Sequence, residues 1–313
     1  MCTYDSKEFS SKLDPVKFKP LFQIKPLFHA AAIFYNWLLI GFVIYLNILF
    51  TSFWLYVLSI VVIGARMHAL AILMHDASHF RFLKNRKWND WITNITIMYP
   101  IFTSIEKYRN NHLAHHQHLN TDHDPDWVAK LDVREFTFPK SKTEFMITVL
   151  SYLVFYQGIL DVFWFLKRFG GAPMKQYAGT ESKPLKIGFY IFLFGALTFF
   201  GGWKYWFLFW IVPWLTTFFM FQYIRSVAEH FGDLARDHEL NSSRTVKTSF
   251  IERFFIAPHN VGYHLEHHLF PGVPFYNLPK LHRLLMEQND YSENAHITQG
   301  YTTGLFNEFS RSS

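Results

Sequence analysis

Apolar residues run along this chain in long uninterrupted blocks. Residues 26–65 contain no Asp, Glu, Lys or Arg, whereas one membrane-spanning helix needs about 20 apolar residues. The block reads as two spans joined by a tight turn near residues 47–52. A second pair follows at residues 187–203 and 205–224, interrupted only by Lys204, with the Gly-Gly-Trp-Lys stretch at 201–204 as the turn between them. Pro213 falls inside the last block and predicts a kink, which a bilayer helix tolerates. Two shorter stretches, 91–105 and 145–160, are too brief for ordinary spans and read as interfacial or partly re-entrant helices. Arg66 and His68 lie inside the second span. Ionisable groups there face a bundle interior, either to line a channel or to support the helix pair.

The charges supply the orientation. Lys7, Lys12, Lys17, Lys19 and Lys25 precede the first span, and Arg81, Lys84, Arg86, Lys87, Lys107, Arg109, Lys167, Arg168, Lys175, Lys183 and Lys186 separate the two pairs. The turns inside the pairs hold only Lys204. Positive residues stay on the cytoplasmic side, so both termini and the central segment are expected there. The net charge of +6 is then a property of topology, which argues against a nucleic-acid partner. The lysine-rich first 25 residues lack the apolar core of a cleavable signal, and the sequons at Asn94 and Asn241 fall on the cytoplasmic side.

The expected fold class is therefore all-α integral membrane: four transmembrane helices in two hairpins, with a helical cytoplasmic cap. The chain is expected to be one domain. Residues 26–75 form the first hairpin, 76–186 the cap, 187–225 the second hairpin and 226–313 a cytoplasmic C-terminal part.

Composition sharpens the picture. Half of the 313 residues are apolar, a fifth are aromatic, and 17% are charged against about 25% in soluble domains. The single cysteine, Cys2, excludes a disulfide-built module, a cysteine zinc site and an iron–sulfur cluster. Against this apolar background stand 17 histidines, and they are grouped. His75 and His79 lie in HDASH, His112, His115 and His116 in HLAHHQH, His230 ends RSVAEH, and His264, His267 and His268 lie in HLEHH. Spacings of three and four put such residues on one helical face, and every group falls at the cytoplasmic side of a span. Nine imidazoles exceed what one ion uses and suit two ions of four to five ligands each. Imidazole accommodates iron, zinc, copper or nickel. Ferritin-like bundles use two Glu-x-x-His pairs; the sequence has one, Glu293 with His296, away from these groups, so nitrogen ligation is expected.

Asp76, Asp122, Asp124, Asp126, Glu229 and Glu266 surround these groups and could accept the second ring N–H of a ligand. His29, His238, His282 and His296 stand alone, with surface or packing roles expected. His118 and His123 are expected to support ligands rather than to be ligands, and His259 beside Asn260 is ambiguous.

HDASH, HLAHHQHLNTDHDPD and HNVGYHLEHHLFPGVPFYNLPKLH together resemble the membrane fatty acid desaturase and hydroxylase superfamily, over roughly residues 28–285. The pattern is closest to the acyl-lipid desaturases. The resemblance implies a non-haem di-iron centre, two iron ions held by His75, His79, His112, His115, His116, His230, His264, His267 and His268, with O2 as co-substrate. Ser226 stands where some acyl-CoA desaturases carry an asparagine that holds a water on one iron. The resemblance further implies a lipid or acyl substrate from the bilayer and an external electron donor, such as a ferredoxin or cytochrome b5. Lys84, Arg86, Lys87, Lys107 and Arg109 suit an acidic donor, although topological anchoring is the preferred reading of them. The implied function is an O2-dependent fatty acyl desaturase, placed in a bacterial inner membrane or an endoplasmic reticulum. A carotenoid or other lipid hydroxylase or ketolase on the same scaffold is the alternative. A membrane zinc hydrolase or metal transporter is the reading from another class.

Overall fold

A computed structural model describes residues 6–169, 181–236 and 238–309. Lys175 lies outside the described residues, as do the side chains of Lys167 and Arg168. The chain divides into two compact units, one of Leu27–Asn110 and Thr148–Tyr223, the other of Met1–Pro26, Asn111–Ile147 and Ile224–Ser313.

The first unit holds the apolar helices. Among the described residues, Pro26–Leu49, Phe53–Ser78 and Trp203–His230 are long and apolar enough to cross a membrane. The turn between the first two falls where the sequence places it. Ser52 caps the second of them by accepting the N–H of Leu55, which satisfies one of the orphan donors of a helix start. The two helices differ in surroundings. Phe53–Ser78 is mostly buried, while Pro26–Leu49 turns Phe34, Leu38, Phe42 and Tyr45 outward. Gly64 lets Phe53–Ser78 approach its neighbour closely: a Cβ there would lie 2.0 Å from Thr217 Oγ1. Small residues allow such crossings where lipid gives helices no hydrophobic reason to associate.

Polar groups in this interior are paired across helices. Arg66 Nη1 donates to Asn36 Oδ1 at 3.3 Å, and His68 Nδ1 lies 2.8 Å from Gln222 Oε1. Both side chains are buried, which favours the helix-supporting role for them. Wide π-type turns at Phe207–Ile211 and Trp214–Phe218 flank Pro213. A proline cannot donate to the preceding turn, and a locally wider helix absorbs the gap.

The expected third span is shorter than the pattern suggests. It is the 17-residue helix Lys183–Phe199, at the lower limit for crossing. Gly201 then adopts a positive φ of 63°, which glycine takes without a Cβ clash, and turns the chain into Trp203. The stretch at 145–160 is a broken helix: Lys142–Leu153 and Tyr156–Trp164 meet at 83°, and together they pass as a span. The stretch at 91–105 is no single helix. Arg86–Thr93 runs into the wide turn Asn94–Met98, and Asn94 is fully buried, with its amide on Glu106.

The second unit is built on short elements. Thr245–Lys247 and Ile297–Gln299 pair in parallel, Thr245 opposite Ile297, a small sheet within an otherwise helical fold. Parallel strands require a crossover, and the crossover here contains the helix His264–Leu269. Leu265 and Leu269 of that helix join a core with Phe9, Leu13, Leu240, Leu278, Leu281, Leu285 and Tyr291.

Candidate metal centre

His75 and His79 sit at the C-terminal end of the helix Phe53–Ser78, one turn apart. Both bring a ring nitrogen within 4.8 Å of the other. Three contacts of Arg109 fix this helix end. Arg109 Nε donates to Ser78 O at 2.8 Å, closing one of the helix's last carbonyls. Its two Nη atoms form a fork on Asp90, at 2.9 and 2.5 Å. Its guanidinium also lies 4.1 Å over the ring of Phe80, a residue at a positive φ of 57°. Burial, then the charges of Arg81 and Arg109, lowers the pKa of His79 to about 3. The ring is therefore neutral, with the lone pair a metal requires.

Two sequence expectations change here. Arg109 is fully buried, so it is a structural clamp and contributes nothing to a donor-facing surface. Lys84, Arg86, Lys87 and Lys107 are exposed. His29 is also fully buried, stacked on Phe82 with Nδ1 3.5 Å from Asp76 Oδ2. The sequence left His29 isolated because its partner lies 47 positions away along the chain.

In the other unit, the helix Ile105–Gln117 presents His112, His115 and His116, the short helix His264–Leu269 presents His264, His267 and His268, and His230 ends its own helix. Their Nε2 atoms converge. His112 and His116 are 3.1 Å apart, His116 and His267 3.1 Å, His230 and His264 2.9 Å, and His264 and His268 3.0 Å. Neighbouring ligands on one ion, each bonded at about 2.1 Å, would be about 3 Å apart and opposite ligands about 4 Å. The observed contacts match the neighbouring arrangement. His112, His116 and His267 form one group, and His115, His230 and His268 another, with ligand atoms within 4.8 Å in each. Burial, followed by the neighbouring histidines, drives the pKa of His268 well below its ordinary value, which again leaves a neutral donor. The donor set fits two borderline metal ions such as iron.

The atoms behind the rings fix their orientation. His115 Nδ1 lies 2.8 Å from Asp124 Oδ2, and Asp124 also accepts the backbone N–H groups of Asn120, Asp126 and Trp127. His264 Nδ1 lies 3.3 Å from Glu229 Oε1, which Arg225 Nε holds at 2.5 Å. Glu229, His230 and His264 could be grouped as a third ion site. The geometry argues otherwise, because Glu229 faces Nδ1 of His264 while Nε2 faces His230 and His268. Glu229 therefore lies behind the His264 ring, on the side away from these contacts. On the opposite side of the short helix, the fully buried Glu266 accepts from Thr245 Oγ1 at 2.6 Å, from Tyr291 Oη at 2.8 Å and from His282 Nδ1. His282 is thus an anchor, where the sequence suggested only a surface or packing role.

The remaining acids and histidines separate cleanly. Asp126 pairs with Lys130 at 2.6 Å, and Lys130 also donates to Ser226 Oγ at 2.7 Å. Asp122 is exposed. His118 and His123 face each other at 5.7 Å and join neither ligand group. His259 has a left-handed backbone, φ 52°, and packs on Phe275. His296 pairs with Glu308 at 3.1 Å.

Residues 51–300 match the family described as fatty acid desaturase. The chain belongs to that family. It is similar to dihydrorhizobitoxine desaturase of Bradyrhizobium elkanii, 31% identical over 255 residues, covering 77% of this chain and 71% of that protein. It is also similar to sn-1 oleoyl-lipid 12-desaturase of Synechocystis, 24% identical over 267 residues with coverage of 78% and 72%. A human sphingolipid delta(4)-desaturase/C4-monooxygenase is 27% identical over 251 residues, with coverage of 78% and 68%. This desaturase-family chain is thus an oxidoreductase with apolar helices and clustered metal-binding histidines.

Proposed function

We propose that this protein is an O2-dependent fatty acyl desaturase of the membrane. On this reading two irons are held by His75, His79, His112, His115, His116, His230, His264, His267 and His268. The observation that carries it is the meeting of Nε2 atoms at 2.9–3.1 Å in a chain of the desaturase family. Bound iron would supply O2 activation strong enough to remove two hydrogens from neighbouring carbons. The overall reaction takes a –CH2–CH2– unit, O2, two electrons and two protons to –CH=CH– and two waters. The chain's own contribution is to keep His79, His230 and His268 neutral, to orient the rings of His115 and His264 through Asp124 and Glu229, and to bury most of the set from bulk water. Electrons come from an external donor, a ferredoxin or cytochrome b5, approaching the exposed Lys84, Arg86, Lys87 and Lys107. Four spans, with both termini and the histidine-bearing cap in the cytoplasm, complete the proposal.

A hydroxylase or ketolase reading stays beside it, since the human relative's name joins a desaturase with a monooxygenase. Expression with a competent donor, followed by mass spectrometry of lipids and pigments, separates the two. A loss of two hydrogens supports the desaturase and a gain of oxygen the alternative. A preparation with one zinc per chain that stays active without O2 overturns both.

A further inference from the structure

The helix Phe250–Phe255 lies outside every span, yet its exposed side is apolar. Phe250 is 84% exposed and Ile251 69%. The only acid in this helix is withdrawn from the surface. Glu252 is buried, and its carboxylate accepts the N–H groups of Ser249, Tyr301 and Thr302 together with the hydroxyl of Thr302. These bonds hold its pKa down against burial, the largest opposing influence, so the charge persists but faces inward. What remains outside is Phe250 and Ile251 between exposed Lys247 and Arg253.

Thr302, held by Glu252, links this helix to a groove in the same unit. Thr302, Thr303, Phe306 and Asn307 line a groove with Lys142 and Met146. Phe306 packs on Phe145 at 5.3 Å, and Ile147, two residues on, is 59% exposed. Lys142 and Met146 of the groove belong to Lys142–Leu153, itself one arm of the bent apolar pair. The acid at that end, Glu144, is folded back onto the N–H and hydroxyl of Ser141. The outward chemistry is aromatic and aliphatic side chains ringed by cations, the pattern of segments that lie in the lipid headgroup layer.

We propose that this surface, with Phe250 and Ile251 at its tip and Lys247, Arg253 and Lys142 around it, is seated in the headgroup layer of an anionic membrane. It ties the histidine-bearing unit to the bilayer independently of the spans, and it does not depend on the reaction catalysed.

The single cysteine makes the test direct. In a Cys2→Ser background, a nitroxide is attached to Phe250→Cys or, as control, to Glu293→Cys, an exposed site elsewhere in this unit. The full-length, metal-loaded protein is reconstituted in vesicles of phosphatidylcholine and phosphatidylglycerol. Its collisions with O2 and with a water-soluble nickel chelate are then measured. The label at 250 should collide with O2, be shielded from nickel, and report a depth of roughly 5–10 Å below the headgroup surface; the label at 293 should behave as aqueous. Lys247→Glu with Arg253→Glu should raise nickel access at 250 in these vesicles more than in pure phosphatidylcholine. Equal nickel access at 250 and 293 overturns the proposal. So does a label at 250 that is aqueous in vesicles and becomes shielded only when an acidic ferredoxin is added, since the surface would then serve a protein donor. Unchanged nickel access on charge reversal overturns the anionic preference. Metal content of each labelled variant, expected to equal the parent's, reports that the unit is folded.

Discussion

The first and third histidine boxes solve the same positioning problem by opposite means. His75 and His79 end a 26-residue helix that is buried continuously from Ile63 to Ser78. That helix needs only a clamp at its end, which Arg109 provides through Ser78 and Asp90. His264, His267 and His268 ride a helix of six residues, far shorter than a helix that is stable by itself. Its orientation must come from side chains, and Glu266 supplies it by binding a strand residue, Thr245, and two helix residues, His282 and Tyr291. Long elements inherit their precision from packing; short ones need buried polar pins.

Ligand removal breaks both designs and has the largest expected effect. His267→Ala or His116→Ala should abolish product formation while leaving membrane insertion intact. Product analysis, metal content and detergent-resistant membrane association check this, and near-normal turnover in either variant would remove that residue from the ligand set.

The pins come next, and they distinguish the two boxes. Glu266→Ala leaves the buried hydroxyls of Thr245 and Tyr291 and the ring of His282 without their acceptor. Each such group costs about 1–3 kcal/mol, so the variant should unfold at markedly lower temperature and lose iron before it loses its membrane helices. Calorimetry alongside iron analysis reads both. Glu266→Gln keeps an acceptor oxygen and should recover part of each. Arg109→Lys keeps a charge but not the fork or the bond to Ser78, and should be milder. Arg109→Ala strands Asp90 and should approach the roughly 3–5 kcal/mol typical of a broken buried pair. Because the first-box helix is buried from Ile63 to its end, iron loss in Arg109→Lys should trail that in Glu266→Gln; the reverse order would undo the comparison.

How much of this was legible in the sequence follows the same division. Uninterrupted apolar runs announce long helices, so the turns near residue 50 and at Gly201 fall where the pattern puts them, while the second and fourth helices run past the expected bounds, 75 and 225, to Ser78 and His230. Spacings of three and four announce imidazoles on one face, and the Nε2 atoms of the second and third groups do converge. The pins are silent because each joins residues far apart in the chain: Arg109 with Ser78 and Asp90, His29 with Asp76, Glu266 with His282. A local pattern also misjudges length when an apolar run contains breakers. The run at 187–203 therefore yields only Lys183–Phe199, and the run at 145–160 breaks into two helices.

The smallest expected effect tests where the second box stops. His118 follows His116 by only two residues, but the helix ends at Gln117. Its N–H turns back to Ala114 O at 3.0 Å, and its half-exposed ring faces His123. A ligand must keep its nitrogen on the inward face of the helix, and a residue past the last turn has left that face. His118→Ala should therefore retain the parent's iron and turnover and shift stability by no more than about 0.5 kcal/mol, as surface substitutions do. Iron per chain is the measurement that decides it. Loss of one ion would mean that the ligand-bearing face extends beyond the helix end, and the second box would then depend on loop geometry as the third depends on its pins.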